Sequence, residues 1–464
     1  MSDFELAVIG SGPGGQHAAI QAAKLNRRAV LIERNPDLGG VSTNTGTIPS
    51  KTFREAVLRV TGRRSVAERG AGPLGHLAFD EVRQEMTRVM RAERAVVRDQ
   101  LERNGVVVLE GSARFAAPGE LIVARGADEM RLRAQRTVIA TGSRPTRPDG
   151  IAFNERTILD SDGIVQMTDL PAALVVVGGG VIGVEYAAIF AALGCTVTLV
   201  NHGTELLEFC DRGIIGDLLA AMRYVGVPLP LGERVVAVDE PPAGTITHLE
   251  SGKRIAADIV LYSAGRRGAS DGLNLDALSI SPDRRGLIPV DEHYSTGSPG
   301  VYAVGDVIGF PALAASSAEQ GRVAACHAFD RPVDTAGALL PYGIYAIPEI
   351  SFVGRTEQEL TAAGVPYEVG VAHFRELARG QISGAIHGNL KLLVGADRAL
   401  LGVHIIGVGA TELIHIGQAV MALGGGIDYL IDAVFNYPTL AEAYKVAALN
   451  ASNQLQTLEE VESS

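Results

Sequence analysis

The residues best suited to chemistry are two glycine-rich runs, Gly10-Ser-Gly12-Pro-Gly14-Gly15 and Gly178-Gly-Gly180-Val-Ile-Gly183. Each follows a short apolar run, residues 6–9 and 174–177, and precedes a helical stretch, residues 17–25 and 184–193. Strand, tight turn and helix in that order aim backbone N–H groups and the positive end of a helix dipole at a pyrophosphate. In the first run Gly10 supplies the turn, Gly12 lets phosphates approach the main chain, and Gly15 lets helix and strand pack closely. The next strand, residues 28–32, ends in Glu33, about 20 residues past the glycines, where a carboxylate can accept ribose hydroxyls. The second unit's strand, residues 196–200, ends instead in Asn201-His202. A carboxylate there would repel a 2'-phosphate, so its absence leaves both NAD and NADP open. His202 either helps hold that phosphate or is a solvated loop residue.

Further apolar runs end in turns that could face the same ligands. Residues 137–140 lead into Thr141-Gly142, and residues 259–263 into Ala264-Gly265-Arg266. In Gly300-Val-Tyr-Ala-Val-Gly305-Asp306 the aspartate falls at a strand end, where it can accept hydrogen bonds from a sugar or ribityl chain or cap the following turn.

These residues need elements to hold them. Two strand–turn–helix units on one chain predict an α/β fold with two Rossmann-like dinucleotide-binding domains. A chain of 464 residues accommodates three domains. We read a discontinuous first domain over 1–150 and 268–340, a nucleotide domain inserted at 151–267, and an α+β C-terminal domain over 341–464. Residues 83–103 read as a polar amphipathic helix, 106–133 as an antiparallel meander, and 313–329 and 412–423 as helices. Residues 390–394 and 400–406 read as strands.

Composition excludes several classes. Apolar residues make up 47% and charged ones 20%, as in a chain that buries cores. A net charge of -12, with no basic stripe to offset it, argues against a nucleic-acid partner. The acidic start, Met1-Ser-Asp-Phe-Glu, is not a secretory signal, and no run reaches the ~18 apolar residues of a membrane span. A cytoplasmic protein is expected. Cys195, Cys210 and Cys326 fit no metal or thiol-redox spacing and read as buried bystanders.

The motifs resemble those of the flavoprotein disulfide reductase superfamily, which includes glutathione reductase and dihydrolipoamide dehydrogenase. The resemblance spans essentially the whole chain. It is carried by Gly10 to Gly15 with Glu33, Gly39-Gly40 to Pro49-Ser50-Lys51, Ala140-Thr-Gly142, Gly178 to Gly183 with Glu185, and Tyr302-Ala-Val-Gly-Asp306. It implies that the first glycine unit and the Gly-Asp segment hold FAD, that the second holds the nicotinamide nucleotide, and that the last quarter of the chain forms a homodimer interface. Cofactor contacts are then expected from Gly10, Gly12, Gly14, Gly15, Glu33, Gly40, Lys51, Thr141, Gly142, Asp306 and Ala314. On the nucleotide side they are expected from Gly178, Gly180, Gly183, Asn201 and His202, with Gly265 a further cofactor residue. The resemblance also implies catalytic roles for Lys51, beside the flavin, and for Glu185, which orients the lysine. It turns the N-terminus of the 313–329 helix towards the flavin.

The departures are as telling. Disulfide reductases carry two cysteines where this chain has Ser42 and Thr47, and a hydroxyl cannot cycle through a disulfide. Their His-Pro-x-x-x-Glu segment, which reprotonates the leaving thiol, is here Tyr437-Pro-Thr-Leu-Ala-Glu442. We read Tyr437, Glu442 and His415 as structural. Loss of the thiol machinery with both dinucleotide sites kept resembles the soluble pyridine nucleotide transhydrogenases. Those share the wording Asn44-Thr-Gly-Thr47-Ile-Pro-Ser-Lys51, Ile347-Pro-Glu-Ile-Ser351, Glu412-Leu-Ile-His-Ile-Gly417 and Phe435-Asn-Tyr-Pro-Thr439. They usually keep the first cysteine, where this chain has Ser42. The resemblance implies FAD, NAD(H) and NADP(H) as cofactors and substrates, no metal, and a homodimer or higher homo-oligomer. An FAD-dependent NAD(P)H:quinone oxidoreductase and a non-catalytic redox-sensing flavoprotein are the competing expectations.

Overall fold

The computed structural model describes residues 3–62, 76–331, 333 and 339–462. They form two compact units, one from the described residues within 1–60, 74–170 and 263–336, the other chiefly from those within 171–262 and 337–464.

In the first unit the Phe4–Ile9 strand lies between Ala29–Glu33 and Asp128–Ile139, parallel to both. Val107–Glu110 adds a parallel edge beside Ala29–Glu33, and Val301–Ala303 extends the other side. The central strands are buried almost throughout, as expected where both faces of a parallel sheet are covered. One face packs Leu6, Val8 and Val138 against Ala18, Ala22, Ala324 and Ala325. The other packs Ala7, Ile9 and Ile139 with Phe115, Leu132 and Leu275.

The meander differs from expectation in two ways. Residues 107–110 belong to the parallel sheet, so only Ser112–Ala117, Glu120–Arg125 and the start of Asp128–Ile139 pair antiparallel. Asp128–Ile139 is also one continuous strand of 12 residues: exposed or alternating at first, then buried where it enters the core sheet. The helices Pro13–Lys24 and Ala314–Ala328 cross where Gly321 meets Gly14; a Cβ on Gly321 would fall on the Gly14 carbonyl oxygen. Only glycine permits that approach.

In the second unit Ala173–Val177 is flanked in parallel by Thr196–Val200 and Ile259–Tyr262. An antiparallel sheet of Val235–Asp239, Thr245–Leu249 and Arg254–Ala257 follows the same region. The C-terminal region is a five-stranded antiparallel sheet in the order Tyr342–Ile344, Ile350–Gly354, Leu400–Ile406, Asn389–Val394, Glu368–His373. Leu392, Val403 and Ile405 pack under Ile414 of the Ala410–Ala422 helix and Tyr444 and Ala447 of Glu442–Glu462.

A buried polar cluster ties the two regions of this unit together. Asp211 caps the Arg212–Tyr224 helix through Gly213 N–H (3.0 Å), and its carboxylate also accepts from Lys391 Nζ (2.7 Å) and Glu357 N–H (3.1 Å). Lys391 makes a second ion pair with Glu357. His404, register partner of Lys391, is 0% exposed, and its Nε2 lies 2.9 Å from the Arg355 carbonyl. A carbonyl only accepts, so Nε2 carries the proton, and Nδ1 is left as a buried acceptor with no partner among the described residues.

Candidate active site

A cleft of about 490 Å³ in the first unit opens beyond the carboxyl ends of the Phe4–Ile9, Ala29–Glu33 and Asp128–Ile139 strands. Among the expected residues, Gly10, Gly12, Gly14, Glu33 and Gly40 line it from one side, and Thr141, Gly142, Asp306 and Ala314 complete it. Gly10 has φ +106°, and a Cβ there would fall on the Ala140 carbonyl. Around Gly12 a Cβ would meet nothing within 4 Å, so the chain exposes bare backbone to the cleft. Gly15 does not line the cleft; a Cβ on it would strike the Gly10 carbonyl oxygen, which makes it a packing residue.

Two helix N-termini meet the cleft. Neither Pro13–Lys24 nor Ala314–Ala328 has a side-chain cap or an acid in its first turn. Their first N–H groups therefore remain available, with two positive dipole ends favouring an anion. Buried Glu33 is engaged from behind: Oε2 accepts from Ser11 N–H (2.8 Å) and Ser11 Oγ (2.7 Å), and Oε1 from Asn35 N–H (2.9 Å). Ser11 Oγ in turn accepts from Gly39 N–H (2.9 Å), which fixes the loop to Gly40. Asn44 braces that loop, donating to the Gly40 carbonyl (2.9 Å) and accepting from Arg94 Nε (2.7 Å).

Two hydroxyls in the cleft wall, Thr45 Oγ1 and Thr141 Oγ1, are buried without a hydrogen-bond partner among the described residues. Orphaned polar atoms of this kind are uncommon in a folded protein, and two that face one cleft are placed to bond a ligand there. With the open Gly12 backbone, the strand-end carboxylates Glu33 and Asp306 and the two helix N-termini, the residues fit a flavin dinucleotide.

Lys51 sits on the Thr47–Gly62 helix, one turn past Thr47; its Nζ donates to Ser50 Oγ (3.2 Å), and it does not itself line the cleft. Glu185, in the second unit, is buried and accepts from Tyr345 N–H (2.8 Å). Gly178 turns at φ +114°, Gly180 faces open space, and Gly183 is buried in the uncapped Val181–Ala192 helix. Asn201 differs from expectation. Its Oδ1 accepts from Gly179 N–H (2.9 Å), while Nδ2 donates to the Gly203 (3.1 Å) and Glu205 (2.8 Å) carbonyls. The amide builds the turn as Glu33 does through Ser11, across the same separation of 22 residues, and both its donors are used within the loop. His202 is exposed. Gly265 lies in the first unit at φ +113°.

The family described as pyridine nucleotide-disulphide oxidoreductase matches residues 4–321, and its dimerisation domain matches residues 340–448. The chain belongs to the pyridine nucleotide-disulphide oxidoreductase family. It is 51% identical over 463 residues to the soluble pyridine nucleotide transhydrogenase of Mycobacterium tuberculosis (strain ATCC 25177 / H37Ra), covering 99% of each chain. It is 42% identical to that of Aliivibrio fischeri, covering 97% of this chain and 98% of the other. Among solved structures it is similar to LpdA from Mycobacterium tuberculosis (TM-score 0.88, 25% identity, covering 96% and 99%). It is equally similar to the copper(II) complex of the HOCl-induced flavoprotein disulfide reductase RclA from Escherichia coli (TM-score 0.88, 25% identity, covering 97% and 99%).

In this pyridine nucleotide-disulphide oxidoreductase the sulfur lies away from the cleft. Ser42 and Thr47 line the cleft, and no cysteine does. Cys195, Cys210 and Cys326 are free and buried. Burial pushes the thiols of Cys195 and Cys210 up to about 12 and raises that of Cys326. Such thiols are not nucleophiles at neutral pH. Tyr437, where disulfide reductases have histidine, is exposed, and Glu442 accepts from Thr439 N–H (3.2 Å) at the start of the Glu442–Glu462 helix. His415 is 2.8 Å from Gln418 on its own helix. No described helix is long and apolar enough to cross a membrane, and no described cluster of His, Cys, Asp and Glu could hold a metal.

Proposed function

We propose that the protein is an FAD-dependent soluble NAD(P)+ transhydrogenase that passes hydride between NADPH and NAD+. One observation carries the reading: a cleft whose orphaned hydroxyls and helix N-termini fit a flavin dinucleotide has serine and threonine where a disulfide would take the electrons. The naming of relatives at 51% and 42% identity supports it. When bound, FAD supplies a centre that accepts and donates hydride.

The chain's own residues do the rest. Backbone at Gly10, Gly12 and Gly14 holds the pyrophosphate, Glu33 the ribose and Asp306 the ribityl chain, the helix N-terminus at Ala314 faces the flavin, and Gly40, Thr141 and Gly142 close the wall, with Gly15 behind. Lys51 holds a positive charge where negative charge develops, and Glu185 is the second catalytic group. Gly178, Gly180 and Gly183 bind the nicotinamide dinucleotide, with Asn201 shaping the loop and His202 at its rim; Gly265 is a further cofactor residue. A strand end without carboxylate admits both NAD(H) and NADP(H). The domains divide as 1–150 with 268–340, 151–267 and 341–464, and the last assembles a cytoplasmic homodimer or higher oligomer.

Stopped-flow spectroscopy under nitrogen tests the reading. NADPH should bleach the yellow protein, and NAD+ should restore the colour. A bleached protein that NAD+ leaves colourless overturns the proposal. Faster reoxidation by menadione than by NAD+ favours the quinone oxidoreductase, and no bleaching by NADPH or by NADH favours the sensor.

A further inference from the structure

Arg266 lies outside the cleft lining, yet it is bonded to the group that holds Asp306. Its strand, Arg266–Gly268, pairs antiparallel with Ser143–Pro145, and Ala269 N–H bonds the Gly142 carbonyl (2.9 Å). From that position Arg266 Nε donates to Ser143 Oγ (2.9 Å) and Nη2 to the Ser143 carbonyl (3.0 Å). Nη1 reaches Ser161 Oγ (3.0 Å) and Asp162 Oδ1 (3.2 Å). Ser143 Oγ is in turn 2.7 Å from Asp306 Oδ2, and Ser143 and Asp306 both line the cleft.

The direction of every hydrogen in this chain is forced. A guanidinium has donors only, so Ser143 must accept from it, and the single hydroxyl proton is left to point at the carboxylate. Among the described residues Oδ2 is the only oxygen of the Asp306 carboxylate with a protein partner. The carboxylate is thus held at one oxygen and presents the other to a ligand. We infer that Arg266 is a positioning residue for cofactor binding: through Ser143 it locks Asp306 in the orientation that receives a hydroxyl-bearing chain. This rests on the reading of the cleft as an FAD site.

The test is a double-mutant cycle on FAD affinity, titrating FAD into apoprotein and following flavin fluorescence, with thermal midpoints of each apoprotein alongside. Arg266→Met and Ser143→Ala should each raise the Kd for FAD by about tenfold, the size of one charge-assisted bond. Combined, they should do little more than either alone, because both break the same relay. Arg266 also ties residues 161 and 162, so Arg266→Met lowers the midpoint as well; Ser143→Ala leaves those ties in place and reads the relay if Arg266→Met does not fold. Effects that multiply in the double variant, or a Ser143→Ala protein with wild-type affinity, overturn the relay while the FAD reading stands. Wild-type apoprotein that takes up no FAD overturns the reading itself.

Discussion

At the scale of single residues, the cleft contains side chains whose bonding is incomplete within the protein alone. Thr141 Oγ1 is buried without a partner, a penalty that the folded chain carries until a ligand donates or accepts there. Thr141→Val removes the hydroxyl at constant shape. The apoprotein should gain up to about 1 kcal/mol in urea unfolding, while FAD affinity falls roughly two- to tenfold. A variant that loses stability and keeps affinity would assign the hydroxyl to structure. His404 poses the opposite case. Burial depresses its pKa below the ordinary imidazole value, only partly opposed by the negative charge of Asp211, while Lys391 reinforces the fall. The folded protein therefore holds it neutral. Below about pH 6.5 the unfolded chain binds a proton that the folded chain refuses, so stability present at pH 7 is lost on acidification, by up to about 1.4 kcal/mol per pH unit. His404→Gln keeps a donor for the Arg355 carbonyl and does not titrate. Its urea midpoint should fall less between pH 7 and pH 5 than that of the wild type; equal falls would place the sensitivity elsewhere.

At the scale of elements, one glycine-rich turn holds two kinds of glycine. Gly15 faces the Gly10 carbonyl, whereas Gly12 faces open space. Gly15→Ala should destabilise the first unit by about 1–3 kcal/mol or more through overpacking against backbone that cannot retreat. Gly12→Ala should leave the apoprotein's thermal midpoint unchanged and weaken FAD binding, because its methyl group intrudes only where the ligand belongs. A large midpoint shift for Gly12→Ala would refute that division. These turns were legible in the sequence because strand, glycines and helix are local and their spacing is stereochemical. Thr196–Val200 matches residues 196–200, and the expected 313–329 helix is Ala314–Ala328. What escaped was non-local or composite. Asp128–Ile139 is half edge and half core, so no single periodicity describes it. Arg266 gains its meaning from Ser143, 123 residues away, and Ser143 from Asp306, 163 away. Lys391 belongs to no motif, and only the fold brings Asp211 and Glu357 to its buried ammonium. At Asn201 the sequence shows only the missing carboxylate, whereas the loop uses the amide's donors.

At the scale of the whole molecule, the C-terminal region presents large apolar side chains to solvent: Val434 is 95% exposed, Leu423 88% and Tyr437 74%. The family's dimerisation domain matches this region. If a second copy covers these residues, Val434→Asp should shift the mass measured by light scattering towards the 48.6 kDa of one chain. An unchanged mass would move the interface away from Val434.

The sequestered sulfur has a practical corollary. With Cys195, Cys210 and Cys326 all buried and Cys195 and Cys210 raised to about 12, neither peroxide nor an alkylating reagent finds a thiolate to attack. An enzyme that shuttles reducing equivalents without a sulfhydryl can keep working during an oxidant burst that silences its thiol-dependent relatives. The same silence makes the chain a clean background, where one engineered surface cysteine would be the sole target of a maleimide dye.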